Sequence, residues 1–177
     1  MTSLPGPVAC ITALTMSGLS TRRFAFEAFL PADKKQRAQI LEELQDETRT
    51  IILYEAPHHL VKTLEELFKT LGSRKVRICR ELTKKHETVY ADTLDGALAH
   101  YRDIEEPRGE CVIIIEGADR EDLNKQKQQS WEEMTIEEHM ALYKDMNRKD
   151  AMKQVAKDRG VSKTCEVTVK KPKITVG

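Results

Sequence analysis

The fold is decided by residues 50–72, which are TIILYEAPHHLVKTLEELFKTLG. Residues 50–54 form a continuous β-branched, aliphatic and aromatic run, which is typical of a strand covered on both faces. The apolar residues that follow have helical spacing, and Gly72 stands where a glycine commonly follows a helix C-terminus. These apolar residues are Leu60, Val61, Leu64, Leu67, Phe68 and Leu71. A buried strand followed by an amphipathic helix predicts an α/β layered domain.

The same alternation of strand and helix patterns extends in both directions from this stretch. Before it we predict a strand and a helix, and after it three strands and a short helix. The predicted strands are 24–29, 75–79, 87–92 and 110–115, and the predicted helices are 34–45 and 94–101. The segment between residues 80 and 87 is too short for a crossover helix, so the strands that flank it are antiparallel neighbours or are separated by a loop. The sheet is therefore expected to be mixed.

The chain divides into four segments. Residues 1–118 form the α/β domain, and the polar residues 119–131 are predicted to be a solvated linker. Residues 132–163 are predicted to form a small helical appendage, in which Thr135 and Glu138 have capping-box spacing and Gly160 ends the second helix. The last segment, residues 164–177, is β-branched and lysine-rich, and we expect it to be frayed.

Composition is typical of a soluble globular protein. Of 177 residues, 40% are hydrophobic, and 29 basic residues balance 29 acidic ones. No apolar run is long enough to cross a membrane, and the N-terminus lacks the pattern of a secretory signal, so we expect a cytoplasmic protein with no membrane partner. The charges are unevenly distributed along the chain, because residues 148–173 carry nine basic and three acidic residues, a net charge of +6.

The cysteines do not indicate a metal site or a disulfide framework. They are widely separated, with no CxxC pair and no histidine at the spacing of a zinc ligand. They are Cys10, Cys79, Cys111 and Cys165. Buried free thiols and no bound metal are the expectation.

The segment 54–59, YEAPHH, is the first candidate site. It follows a buried strand, and ligands of α/β sheets lie outside the carboxyl ends of strands. Glu55 is a candidate acceptor of hydrogen bonds from a ribose or an amine. His58 and His59 are candidates for acid–base groups, or are surface residues at the start of a helix. Pro57 suits a first helical position, so a purely structural turn is an equal alternative.

Two further strand ends are candidates. The segment 80–86, RELTKKH, has several basic groups around one acid and could hold a phosphate backbone, although a solvated charged loop is the alternative. In the segment 115–118, Gly117 permits either close approach of a ligand or a tight exit from the strand.

Several reaction classes lack their usual residues in this chain. There is no Walker loop, GxGxxG, nucleophile elbow or HExxH in the sequence. What remains is chemistry that depends mainly on positioning. Methyl transfer from a sulfonium donor is such a reaction, because the donor carries its own activation.

Five stretches of the sequence together resemble one protein family. They are 3–19 (SLPGPVACITALTMSGL), 26–31 (FEAFLP), 54–58 (YEAPH), 80–87 (RELTKKHE) and 149–157 (KDAMKQVAK). In this order and spacing they resemble the ribosomal RNA small-subunit methyltransferase I family, within the tetrapyrrole methylase superfamily. The resemblance covers about residues 2–163 and implies an S-adenosylmethionine-dependent methyltransferase that acts on a cytidine ribose 2′-hydroxyl in small-subunit ribosomal RNA. It also implies a homodimer.

The resemblance begins where family members pass from a first subdomain into a second one. In the family, the pocket for S-adenosylmethionine lies in the cleft between these subdomains. We therefore expect this chain to correspond to the C-terminal part of such an enzyme, with one wall of the cleft missing and little activity by itself. Two alternatives stay open: a fragment of a small-molecule, tetrapyrrole-type methylase, and a noncatalytic remnant that binds RNA.

The resemblance also implies roles for particular residues. Those expected beside S-adenosylmethionine are Thr12, Ala13, Leu14, Tyr54, Glu55, Ala56, Glu116, Gly117 and Ala118. Those expected on the RNA or catalytic side are Arg80, Glu81, Lys84 and His86. The appendage resembles a helix-turn-helix in the family, but the sequence departs from the family pattern after Lys163. Its positive charge could still give nonspecific, salt-sensitive RNA binding.

Overall fold

The computed structural model describes residues 6–103 and 109–161, which fall into two compact units, Met1–Asp119 and Arg120–Gly177. In the first unit the strands are β1 (Phe24–Phe29), β2 (Thr50–Glu55), β3 (Lys75–Arg80), β4 (Thr88–Thr93) and β5 (Cys111–Ile115). Its helices are α1 (Ala9–Met16), α2 (Lys34–Glu43), α3 (Leu60–Leu71) and α4 (Leu94–Arg102). The second unit contains α5 (Arg120–Glu133), α6 (Ile136–Ala141) and α7 (Arg148–Asp158).

The strands form one sheet in the order β1-β2-β5-β3-β4. Strands β1 and β2 are parallel, as a connection through a helix such as α2 allows, and every other neighbouring pair is antiparallel. The predicted mixed sheet and the antiparallel pairing of β3 with β4 are therefore confirmed. The chain reverses direction at β5, which runs antiparallel to both of its neighbours.

Helices cover both faces of the sheet. On one face, α2, α3 and α4 pack against alternate strand residues such as Ile51, Leu53 and Ile113. On the other face, α1 packs against the intervening residues, among them Ile52 and Ile114. Every residue of β5 is buried, which accounts for the unbroken apolar sequence of this central strand.

Strand β1 contains a β-bulge. Its register with β2 shifts between Phe26 and Ala28, which leaves Glu27 without an opposite residue, and Ala28 has a positive φ of 53°. The extra residue changes the alternation of side chains, so that Phe26 and Phe29 both lie on the face that carries Tyr54. Without the bulge, two residues three apart would point to opposite faces.

Most of the predicted linker at residues 119–131 is helical, because Arg120–Glu133 form the helix α5. Nearly all of its residues are exposed, as expected for a solvated segment, but its composition favours a helix. Glu121 and Asp122 lie in the first turn, where negative charge complements the helix dipole. A helix with no apolar stripe leaves no periodic signal in the sequence.

The second unit has a small core around a buried histidine. His139 is fully buried, stacks on Trp131 at 5.3 Å between ring centroids, and accepts a hydrogen bond at Nδ1 from Arg159. The predicted capping box of Thr135 and Glu138 is present, and the predicted stop of the last helix at Gly160 (φ 64°) is confirmed. Residues 164–177 and Cys165 lie outside the described residues.

Helix α3 supplies a test of the core. Leu64 is fully buried between α3 and the sheet, whereas Lys69 on the same helix is exposed. We expect Leu64→Ala to lower the free energy of unfolding by about 2–5 kcal/mol, because it removes buried methyl groups and leaves a cavity. Lys69→Ala should change it by less than about 0.5 kcal/mol. Urea unfolding followed by circular dichroism measures both, and equal effects would contradict this packing.

The buried thiols predict a pH dependence of stability. Burial raises the pKa of Cys79 and of Cys111 from 9.0 to about 11. Between about pH 9 and pH 11 the unfolded chain therefore loses protons that the folded chain keeps, so the free energy of unfolding should fall as pH rises through this range. The double variant Cys79→Ala/Cys111→Ala should show a shallower fall in urea unfolding. A slope identical to that of the parent chain would refute the assignment.

Candidate functional site

Two of the predicted site segments meet at one end of the sheet. Strand β2 ends at Glu55 and β3 ends at Arg80, and both residues pair with Cys111, the first residue of β5. The three therefore form a row across the sheet, with neighbouring Cα atoms about 5 Å apart. The segments that begin at Tyr54 and at Arg80 were singled out separately, and the antiparallel course of β5 brings them together.

Tyr54 and Glu55 point to opposite faces of the sheet. The Tyr54 hydroxyl accepts a hydrogen bond from the backbone N–H of Cys10 in α1 at 3.2 Å. The rings of Phe26 and Phe29 lie 5.1 and 5.6 Å from the Tyr54 ring, between centroids, so the β1 bulge completes an aromatic cluster on this face. The resemblance assigned both Tyr54 and Glu55 to one ligand, but the alternation of the strand separates their side chains.

The Glu55 carboxylate is buried and held in a fixed orientation under α3. Its Oε1 accepts a hydrogen bond from the N–H of Ala56 at 2.8 Å, and its Oε2 accepts one from the Thr63 hydroxyl at 2.5 Å. Arg37 of α2 donates from Nη2 to the Thr63 hydroxyl at 2.8 Å and from Nε to Glu66 at 2.5 Å. The carboxylate also lies at the N-terminal end of α3, where the helix dipole stabilises negative charge.

Sequence reasoning missed Thr63 and Arg37. Thr63 does leave a signal, since it is a polar residue on the apolar stripe of α3, between Leu60 and Leu67. A buried hydroxyl at such a position needs a hydrogen-bond partner, which could have indicated a polar group beneath the helix. Arg37 leaves no such signal, because it is one of several charged residues on α2.

A pocket of about 270 Å³ opens beside this network, at the carboxyl ends of the parallel strands β1 and β2. Its apolar walls come from the segment after β1, and its polar lining comes from α2, α3 and the end of β2. The lining residues are Phe29, Leu30, Pro31, Ala32, Arg37, Glu55, Ala56, His59, Lys62 and Thr63. The His58 and His59 side chains are exposed beside it, with ring centroids 4.1 Å apart.

The turn between β3 and β4 is built around Glu81. Its Oε1 accepts hydrogen bonds from the N–H of Glu110 at 3.0 Å and from Lys84 Nζ at 3.2 Å, and these bonds lower the pKa of the Glu81 carboxyl. Glu81 itself has a positive φ of 50°. Its side chain fills the space beside Gly109, where a Cβ atom would collide with it. Glu81 therefore shapes the turn and ties it to the start of β5.

The remaining candidates of this turn differ in exposure. Arg80 is half-buried on the face covered by α4, and a hydrogen bond from Arg80 opposes the burial that raises the pKa of Tyr101. Lys84 is half-exposed and contacts two carboxylates, Glu81 and Glu110, which raise its pKa. Lys85 and His86 are exposed. The turn thus presents cations at the same end of the sheet as the pocket.

The predicted donor segment 116–118 lies at the opposite end of the sheet. Glu116 pairs with Lys75 at 3.0 Å, and the N–H of Ala118 donates to the Glu47 carbonyl at 2.7 Å. Gly117 packs against the backbone of Thr48, so a close approach within the chain explains this glycine. The length of β5 separates this segment from Glu55 by about 13 Å. The structure does not bring the segment to the Glu55 end, because β5 runs antiparallel to β2.

The predicted donor residues of α1 are mostly core. Ala13 and Leu14 are buried against the sheet, and Thr12 is half-buried with its hydroxyl bonded to the Val8 carbonyl at 3.2 Å. Ala13 and Leu14 therefore contribute packing side chains. Within residues 6–103 and 109–161, no group of three or more histidine, cysteine or acidic residues is placed to hold a metal. In the same part of the chain, no helix is both long and apolar enough to span a membrane.

Solved structures with a similar arrangement include two methyltransferases. One is the crystal structure of the methyltransferase CobJ, with 19% identity, a TM-score of 0.46 and coverage of 64% of this chain and 49% of that chain. Another is the cobalamin biosynthetic enzyme cobalt precorrin-4 methyltransferase, CbiF, with 16% identity, a TM-score of 0.45 and coverage of 64% and 50%.

Curated relatives match over most of this chain. A protein of Halalkalibacterium halodurans is 42% identical over 162 residues, which are 90% of this chain and 55% of the relative. A protein of Bacillus subtilis is 38% identical with the same coverage, and one of Synechocystis is 42% identical over 156 residues, which are 88% of this chain and 54% of the relative. Each of the three is named "Ribosomal RNA small subunit methyltransferase I".

The chain spans about half the length of these relatives. The sequence profile described as "Tetrapyrrole (Corrin/Porphyrin) Methylases" matches residues 1–98, which are more than half of this chain. These residues include both of the parallel strands, the Glu55 network and the β3–β4 turn. The protein therefore belongs to the tetrapyrrole methylase family.

Proposed function

We propose that this chain takes part in the S-adenosylmethionine-dependent methylation of small-subunit ribosomal RNA, at the 2′-hydroxyl of a cytidine. The observation that carries the proposal is the 42% identity over 162 residues to a relative named for ribosomal RNA methylation. The same relatives favour RNA over a tetrapyrrole as the substrate. The proposal includes a cytoplasmic location and a homodimer, as implied by the family resemblance.

The RNA side of this proposal is the end of the sheet that carries the β3–β4 turn. Lys84, Lys85 and His86 are exposed or half-exposed there, and phosphate contacts from such cations give nonspecific affinity and position the RNA. Glu81 acts by holding the turn in shape, and Arg80 acts from beneath α4. Of the four catalytic candidates, we propose His86, which is exposed, as the group that exchanges a proton with a 2′-hydroxyl.

The donor side is the aromatic cluster on the α1 face. Phe26 and Phe29 are 45% and 61% exposed beside Tyr54, and this uncovered aromatic surface is suited to the adenine ring of S-adenosylmethionine. When bound, this cofactor supplies an activated methyl group. The relatives are almost twice as long as the match, so we propose that residues outside the matched region complete the enclosure of the donor.

RNA binding should depend on salt and on the cations of the β3–β4 turn. We expect affinity for a small-subunit ribosomal RNA fragment to fall at least about tenfold between low and moderate salt, since phosphate contacts release counterions. Lys85→Ala should weaken binding about threefold and reduce the salt slope by about one. Lys69→Ala, at the far end of α3, is the matched control and should have no effect. Fluorescence anisotropy measures these affinities, and binding that salt does not change would contradict RNA recognition.

The isolated chain should bind the donor weakly. Because the aromatic cluster is open to water, we expect S-adenosylmethionine to bind the 177-residue chain with a Kd above about 1 mM in calorimetry. The full-length Bacillus subtilis relative, measured alongside, is the positive control. Micromolar binding by the isolated chain would show that its own residues enclose the donor.

A further inference from the structure

The pocket beside Glu55 combines an apolar mouth with a polar floor. Pro31 and Ala32 line its apolar side, and Glu55, a residue only 7% exposed, lines its polar floor. At about 270 Å³ it is just below the about 300 Å³ at which small-molecule sites usually begin, so it admits one small ring system. The strand-end position is where α/β sheets commonly bind ligands.

The polar floor favours a hydrogen-bond donor over an anion. Each Glu55 oxygen accepts one bond from the protein, and a carboxylate oxygen has the capacity for a second. Arg37 already donates to Glu66 and Thr63, which reduces its capacity for a phosphate. An anion in this pocket would lie against the Glu55 carboxylate, whereas an amino group would supply the hydrogen bonds that a buried acceptor requires.

The walls and the rim define the rest of the ligand. The flat face of Pro31 and the methyl group of Ala32 can pack on a planar heterocycle. Lys62 lines the pocket, is exposed and carries a positive charge suited to a phosphate outside it. A planar ring with an amino group, joined to a phosphate, is an amino-bearing nucleotide.

We propose that this pocket binds one unstacked, amino-bearing nucleobase of the RNA, with the amino group directed to Glu55 and the adjoining phosphate at Lys62. That the base belongs to an RNA rests on the proposed function, whereas the amino group of the base is inferred from the pocket residues alone. Cytosine, adenine and guanine carry an exocyclic amino group, whereas uracil presents a carbonyl oxygen, which the carboxylate would repel. Enzymes that act on single nucleotides of RNA commonly read a base that has left its stack.

The experiment titrates the chain with CMP, AMP, GMP and UMP and follows the backbone amide of Ala56 by NMR. We expect the best amino-bearing nucleotide to bind at least about fivefold more tightly than UMP. Glu55→Gln replaces one acceptor oxygen by an NH₂ donor, so the preference should shift toward UMP. Equal binding of the four nucleotides, or no binding up to about 10 mM, would overturn the proposal.

Three further variants test whether a loss of binding comes from the pocket or from a loss of folding. Pro31→Ser removes an apolar face of the pocket without touching the Glu55 network, and it should weaken the binding of all four nucleotides together. Lys62→Ala should weaken the binding of all four nucleotides by one common factor, because it removes the phosphate contact that they share. Lys69→Ala, on the same helix but outside the pocket, should leave binding unchanged. If Pro31→Ser and Lys62→Ala bind as the parent chain does, the nucleotides bind elsewhere and the proposal is wrong.

S-adenosylmethionine also carries an adenine amino group and is therefore tested as a separate ligand. S-adenosylmethionine has no phosphate, so Lys62→Ala should weaken the binding of a nucleotide but not that of S-adenosylmethionine. A shift of Ala56 with the donor alone, unaffected by Lys62→Ala, would assign the pocket to the donor and overturn the RNA base. If the nucleotides discriminate as expected but ribosomal RNA binds without salt dependence, the proposed function fails and the pocket stands. If RNA binding depends on salt but the four nucleotides bind equally, the proposed function stands and the pocket proposal is wrong.

Discussion

The two-residue alternation of β2 is the constraint on which the rest of the structure depends. The strand is covered on both faces, so consecutive side chains enter two different environments. Ile52 and Tyr54 pack beneath α1, while Leu53 and Glu55 pack beneath the helices of the other face. A single strand end therefore serves two surfaces, an aromatic cluster around Tyr54 and a polar pocket around Glu55.

The secondary structure could be predicted from the sequence because its signals are local. The buried run of β2 and the apolar stripe of α3 have periods that only one kind of element produces. The solvated helix α5 has no apolar stripe, so its sequence was indistinguishable from a linker. The departure of β1 from strict alternation was equally invisible, since a bulge depends on how a strand pairs and not on its own composition.

The candidate site was predictable only in parts. Glu55 and Arg80 stand at strand ends, and strand ends are visible in the sequence, but their adjacency depends on β5 lying between β2 and β3. The direction of β5 also decides that residues 116–118 belong to the other end of the sheet. Such pairings join residues far apart in the chain, and no local pattern records them. Family resemblance supplied residue roles, and the geometry then separated the residues that pack the core from those that line a surface.

The bulge at Ala28 has a consequence beyond the placement of Phe29. Strand β1 is at the edge of the sheet, and a regular edge strand offers an unpaired row of backbone donors and acceptors to any extended chain that meets it. The irregularity between Phe26 and Ala28 interrupts that row and twists the strand locally. One inserted residue thus protects an exposed, phenylalanine-rich edge against the intermolecular strand addition that begins aggregation.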